Sequence, residues 1–95
     1  MKTYTKQESE SFLLNLENWI FSDNAIEKKF QFKNFSEALA FIFQIGLLAE
    51  KLNHHPEILN VYNKVQIRLT THDLNGVTEK DFELAKRIEE LGFRF

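Results

Sequence analysis

The 95-residue sequence has no cysteine, a single proline, no block of like charge and no apolar run of membrane-spanning length. Without cysteine, disulfide staples, zinc knuckles and thiol nucleophiles are excluded, the chain is indifferent to redox compartment, and its stability has to come from packing. The 12 basic and 14 acidic residues give a net charge of −2 and are scattered, which leaves no electrostatic footprint for nucleic acid. The first residues, Met1 to Glu8, carry charge with no apolar segment behind them. Neither a leader peptide nor a membrane contact is expected, and the default location is the cytoplasm. Internal repeats, low-complexity tracts and linkers are also missing.

What is present is apolar material. Hydrophobic residues make up 43% of the chain and ten are Phe, ample for a packed interior and contrary to disorder. One domain over residues 1–95 is expected, small enough that help from self-association would be unsurprising.

Thr5 followed by Glu8 predicts a helix N-terminus, and Phe12, Leu13, Leu16 and Trp19 or Ile20 recur at helical spacing, so a first helix is expected over about 5–18. Trp19-Ile20-Phe21, the turn residues Ser22-Asp23-Asn24, and Ile26, Lys28, Phe30 and Phe32 alternating with Glu27, Lys29 and Gln31 predict a hairpin with one apolar face. Asn34 with Glu37 is a capping arrangement that starts a second helix near Phe35, and nothing breaks it before Asn53. Its main stripe is Ala38, Phe41, Ile42, Ile45, Leu48, Ala49 and Leu52, while Leu39, Phe43 and Leu47 form a second apolar line that one sheet cannot cover. Contact with another subunit or with a neighbouring helix would account for it.

Pro56 pushes His55 out of the helical region and ends that helix. Ile58 to Tyr62 and the alternating Val65, Ile67 and Leu69 predict a second hairpin turning at Asn63-Lys64. A loop over Asp73 to Gly76 follows, with Gly76 free to take positive φ. Thr78 and Asp81 then cap a last helix, whose stripe is Phe82, Ala85, Ile88 and Leu91 and whose end is Gly92. The order α-β-β-α-β-β-α predicts an α+β fold, a four-stranded antiparallel sheet with three helices packed on one face.

All three histidines fall between Glu50 and Asp81, together with the only proline and several carboxylates. Glu50 and His54 are four apart, hence on one face of the second helix, and His72 comes at the end of a strand. A histidine whose ordinary pKa is about 6.5 exchanges protons near neutrality, so a cleft of histidines and carboxylates suits general acid/base catalysis. Taken singly, each such residue reads as a surface group or a partner of a helix C-terminus, but three gathered with none elsewhere point to chemistry. A metal site from His54, His72 and Glu50 or Asp73 ranks lower, because adjacent histidines diverge and no His-x-His or His-x-x-x-His pair exists. Asp81 also reads as a helix N-terminal residue, and Tyr62 as a core or cross-strand aromatic.

Glu50-x-x-x-His54-His55-Pro56, Tyr62, His72 and Asp81 at these separations resemble the signature of the pterin-4a-carbinolamine dehydratases. Asn60-Val61-Tyr62-Asn63-Lys64-Val65, Thr71-His72, and Phe30 to Phe35 with Glu37-Ala38 look like the same family, and the likeness covers about Trp19 to Leu91. The resemblance implies a four-stranded sheet with three helices, dimers or tetramers using the helix at 35–53, and no metal or cofactor. It implies loss of water from 4a-hydroxytetrahydropterin to give quinonoid dihydropterin, in service of aromatic amino acid hydroxylases. His54 and His72 would then be the acid/base pair and His55 would chiefly hold the substrate. Glu50 and Asp81 would bind the pterin or orient a histidine. Ile58 departs from the family, which commonly has Trp there. An alternative implied by vertebrate relatives is a dimerisation cofactor for a transcription factor, a binding module of the same fold.

Overall fold

The structure, a computed structural model, describes residues 1–92; the last three residues of the expected domain lie outside the described residues. The elements are α1 (Lys6–Leu13), β1 (Ile20–Ser22), β2 (Ala25–Gln31), α2 (Phe35–Leu52), β3 (Glu57–Val61), β4 (Lys64–Leu69) and α3 (Glu79–Glu89), with a 3₁₀ turn at His72–Leu74. The strands form one antiparallel sheet, as the α+β reading expects, and their order in it is β1-β2-β4-β3.

Period-two alternation places Ile26 and Phe30 of β2 and Val65, Ile67 and Leu69 of β4 on one buried face, with Phe30 opposite Val65 and Lys28 opposite Ile67. Phe41, Ile45, Phe82, Leu84, Ala85 and Ile88 of the helices pack against that face. Lys28 shares it and is buried, so its charge needs an internal partner. The Lys28 ammonium meets Glu89 at 2.9 Å, and Trp19 Nε1 donates to the same carboxylate at 3.0 Å. This clasp ties the end of α3 to the sheet.

Local chemistry corrects several boundaries. Thr5 and Glu8 form the reciprocal capping box of α1, and the Lys2 ammonium bonded to Glu8, together with the Thr5 amide, holds that carboxyl below its ordinary value. α1 ends at Leu13 rather than near 18, because Leu13 to Asn18 becomes a run of short turns, with Asn18 at φ 68, that delivers Trp19 to the core. At the first hairpin Asp23 and Asn24 both have positive φ, the pattern of a type I′ turn. The second hairpin turns one residue earlier than expected, at Tyr62-Asn63, and Tyr62 is an exposed turn residue at φ 51 instead of a core or cross-strand aromatic. Asn63 fixes that position, since its side chain donates to Phe32 O at 2.8 Å and its carbonyl accepts from Phe32 N at 2.8 Å.

Positive φ in the loop before α3 falls on Asn75 (φ 52), not on Gly76. The glycine there answers a close approach instead, because a Cβ would stand 3.2 Å from Thr3 Cγ2. α3 ends at Glu89, with Gly92 at φ 79 beyond it. No helix among the described residues is long and apolar enough to cross a membrane.

Candidate active site

α2 starts where Asn34 Oδ1 accepts from Glu37 N at 2.9 Å. It stops at Leu52 because Asn53 adopts the left-handed conformation (φ 51, ψ 43). Asn53 N donates to Glu50 O and His54 N to Ala49 O, the two reverse bonds of a Schellman motif. The chain therefore folds back one residue before the first histidine, and Glu50 and His54 do not share a helix face as expected. His54 swings across to α3, with Nε2 2.6 Å from Asp81 Oδ1, while Glu50 Oε1 takes His55 Nε2 at 2.6 Å.

These two pairs share a distance and differ in everything else. His54 is 11% exposed and Asp81 fully buried, whereas His55 and Glu50 are 58% and 78% exposed. Solvent screens the outer pair to about 0–1 kcal/mol. The inner pair sits in a network. Asp81 Oδ2 accepts from Thr78 N at 2.9 Å and from the Thr71 hydroxyl at 2.9 Å, and the hydroxyls of Thr71 and Thr78 are 2.7 Å apart. Asp81 is thus both the third residue of α3, closing its capping box with Thr78, and the partner of His54.

His72 lies in the 3₁₀ turn, beyond the end of β4, and is 65% exposed. Its Nε2 is 3.8 Å from Glu57 Oε2, and the other oxygen of Glu57 is 3.7 Å from Arg68 Nε. Arg68 is itself anchored, donating to Ser22 O at 3.0 Å and Asp23 O at 2.7 Å. Each histidine thus faces a different carboxylate. Among the described residues no group of three His, Cys, Asp or Glu side chains is arranged to hold a metal ion.

A cavity of about 470 Å³ opens beside His54, walled by Phe12, Leu52 and Phe82 and edged by Lys80, Glu83 and Lys86. Phe12 stacks on Phe82 with ring centroids 4.6 Å apart, so α1 contributes a wall. Ile58 sits on the helix-facing side of edge strand β3, opposite Ile67, and is partly exposed. Sequence reasoning gave no site role to Thr71, Glu57, Arg68 or the Phe12–Phe82 wall. Thr71 carried the one usable signal, a polar residue next to His72 that falls on the buried side of the chain as it leaves β4.

The sequence pattern of the family described as Pterin 4 alpha carbinolamine dehydratase matches residues 2–91, which takes in the first helix as well as the histidine region. A Prochlorococcus marinus protein provisionally named a pterin-4-alpha-carbinolamine dehydratase is 45% identical over 86 residues, 90% of each chain. A Sulfurisphaera tokodaii protein of the same provisional name is 44% identical over 91 residues, 96% of this chain and 98% of its own. Among solved structures, a transcriptional coactivator/pterin dehydratase from Brucella melitensis is similar with a TM-score of 0.90 and 41% identity, over 97% of this chain and all of that one.

Proposed function

This chain belongs to the pterin 4 alpha carbinolamine dehydratase family, and from that premise we propose that it removes water from a 4a-hydroxytetrahydropterin by histidine acid/base catalysis. One group takes the N5 proton, the freed electron pair forms the C4a=N5 double bond, and a second group protonates the 4a-hydroxyl as the C4a–O bond breaks. The products are water and quinonoid dihydropterin. The observation that carries the reading is the bond between His54 Nε2 and buried Asp81. A carboxylate has no hydrogen to give, so the ring Nε2–H donates and Nδ1 is left as the nitrogen that exchanges protons. His72, on its exposed turn, supplies the complementary proton transfer, and the two exchange roles with the direction of reaction. His55, exposed and paired with Glu50, chiefly holds the pterin, while Asp81, which has no exposed surface, acts by orienting His54.

The test is a stopped-flow assay of quinonoid dihydropterin formation from freshly generated 4a-hydroxytetrahydropterin, with the nonenzymatic rate subtracted. Acceleration proportional to protein concentration is expected. A folded protein that leaves the background rate unchanged would overturn the reading.

A second feature supports self-association, as a homodimer or homotetramer through the 35–53 helix. Phe35, Leu39, Phe43 and Leu47 are exposed along α2, with Phe43 64% exposed. Gly46 lies among them, and a Cβ there would meet nothing of this chain within 4 Å. A mid-helix glycine costs about 1 kcal/mol relative to alanine, so a free monomer gains nothing from it, whereas a second helix approaching closely does. Phe43→Glu is expected to lower the mass seen by light scattering to that of a monomer. Gly46→Ala is expected to weaken association while stabilising the isolated chain. Unchanged masses in both would discard this interface. The same exposed line favours the alternative reading, a dimerisation or transcriptional-cofactor module, and the Brucella relative's own description joins coactivator to dehydratase.

A further inference from the structure

Asp81 is the partner of His54, but it does not choose its own orientation. Its Oδ1 is engaged by His54 Nε2, and its Oδ2 accepts from Thr78 N and from the Thr71 hydroxyl. The Thr78 hydroxyl already accepts from Lys80 N at 3.3 Å and stands 2.7 Å from the Thr71 oxygen. Since the single hydroxyl hydrogen of Thr71 goes to Asp81, the bond between the threonines runs from Thr78 to Thr71. The network has one direction throughout, Thr78 hydroxyl to Thr71 hydroxyl to Asp81 carboxylate, and every heavy atom in it is buried or nearly so. Buried networks of this kind hold their members in one arrangement because every alternative leaves a polar group unpaired.

We infer that Thr71 is a positioning residue for His54, its hydroxyl fixing the Asp81 carboxylate so that His54 is held as the Nε2–H tautomer. The assignment rests on the dehydratase reading for its consequence in catalysis, though not for its geometry. Thr71 has a second duty through its backbone. Its N–H donates to Gly76 O at 2.9 Å and its carbonyl accepts from Leu74 N at 3.0 Å, which builds the turn carrying His72. One residue therefore ties both proton-exchanging histidines to the same point of the fold, the first by its side chain and the second by its main chain.

The side-chain role is isolated by Thr71→Val, which keeps the β-branched shape and the backbone and deletes only the hydroxyl. Thr71→Ser restores the donor. The readouts are the ¹⁵N signals of the His54 ring in the folded protein, and kcat and KM from the stopped-flow assay. In the wild type, a protonated Nε2 and an unprotonated Nδ1 are expected for the neutral ring. In Thr71→Val the bonded Nε2–H signal is expected to broaden or give way to a mixture of tautomers, with kcat lowered about tenfold and KM changed less. Thr71→Ser is expected to recover both. Glu79, Lys80, Glu83 and Lys86, which line the cavity with His54, are untouched by these changes and act as a constant background. A wild-type ring found as Nδ1–H, or a folded Thr71→Val with wild-type His54 signals, overturns the assignment, the first without need of any variant. Absence of dehydratase activity in the wild type would sink the functional reading alone, because the ring signals are read without substrate.

Discussion

His54→Ala is expected to lower dehydratase turnover by roughly 10²-fold or more, the usual cost of a lost acid/base group, with His72→Ala lowering it by a similar factor and the double variant more. The reason differs between the two. His54 is held at 2.6 Å by a buried carboxylate, so on the proposed reading its loss removes a proton-exchanging nitrogen of defined direction. His72 stands on an exposed turn with Glu57 at 3.8 Å, so on the same reading its loss removes a proton carrier that is only loosely fixed beforehand. The assay needs circular dichroism beside it, because His54→Ala also strips a donor from buried Asp81. Wild-type rates in both folded single variants would remove the acid/base assignment and leave the fold assignment intact.

Asp81→Ala is expected to be the most destabilising single change at the site, by about 3 kcal/mol or more. It removes the reciprocal bond of the α3 capping box and leaves the Thr78 amide, the Thr71 hydroxyl and the His54 ring nitrogen without their acceptor, and a buried donor left unpaired costs about 1–3 kcal/mol. For a chain of this length that corresponds to a fall in Tm of roughly 12 °C or more. Glu50→Ala is the control. It breaks a histidine–carboxylate pair of the same 2.6 Å length, but both of those groups are exposed, so a change within about 0.5 kcal/mol is expected. Thermal unfolding of the two variants side by side decides the matter. Equal losses would mean that burial is not what distinguishes the pairs.

The clasp of Lys28, Glu89 and Trp19 shows how far pattern alone carries. Alternation along β2 put Lys28 on the apolar face with Ile26 and Phe30, and it is buried there. Nothing local identified its partner, because Glu89 lies 61 residues away and reaches it only once α3 has packed. Capping residues were legible for the opposite reason. Thr5, Asn34 and Thr78 bond to amides two or three residues on, so the sequence itself contains both partners.

The sequence by itself determined the element order, the sheet's buried face and the set of residues worth watching: His54, His55, His72, Glu50 and Asp81. The element order and the buried face rest on periodicity, capping and spacing, which are local interactions, while the residue set rests on the gathering of the three histidines and on the family resemblance. Tertiary structure alone decided which carboxylate meets which histidine. The left-handed turn at Asn53 ended α2 two residues before His54, so that Glu50 and His54 share no helix face, and only the packing of α2 against α3 brought Asp81 within 2.6 Å of His54. Burial then separated an inner pair held by two threonines from an outer pair screened by water, because desolvation depends on what the rest of the chain places around a residue and not on its neighbours in sequence.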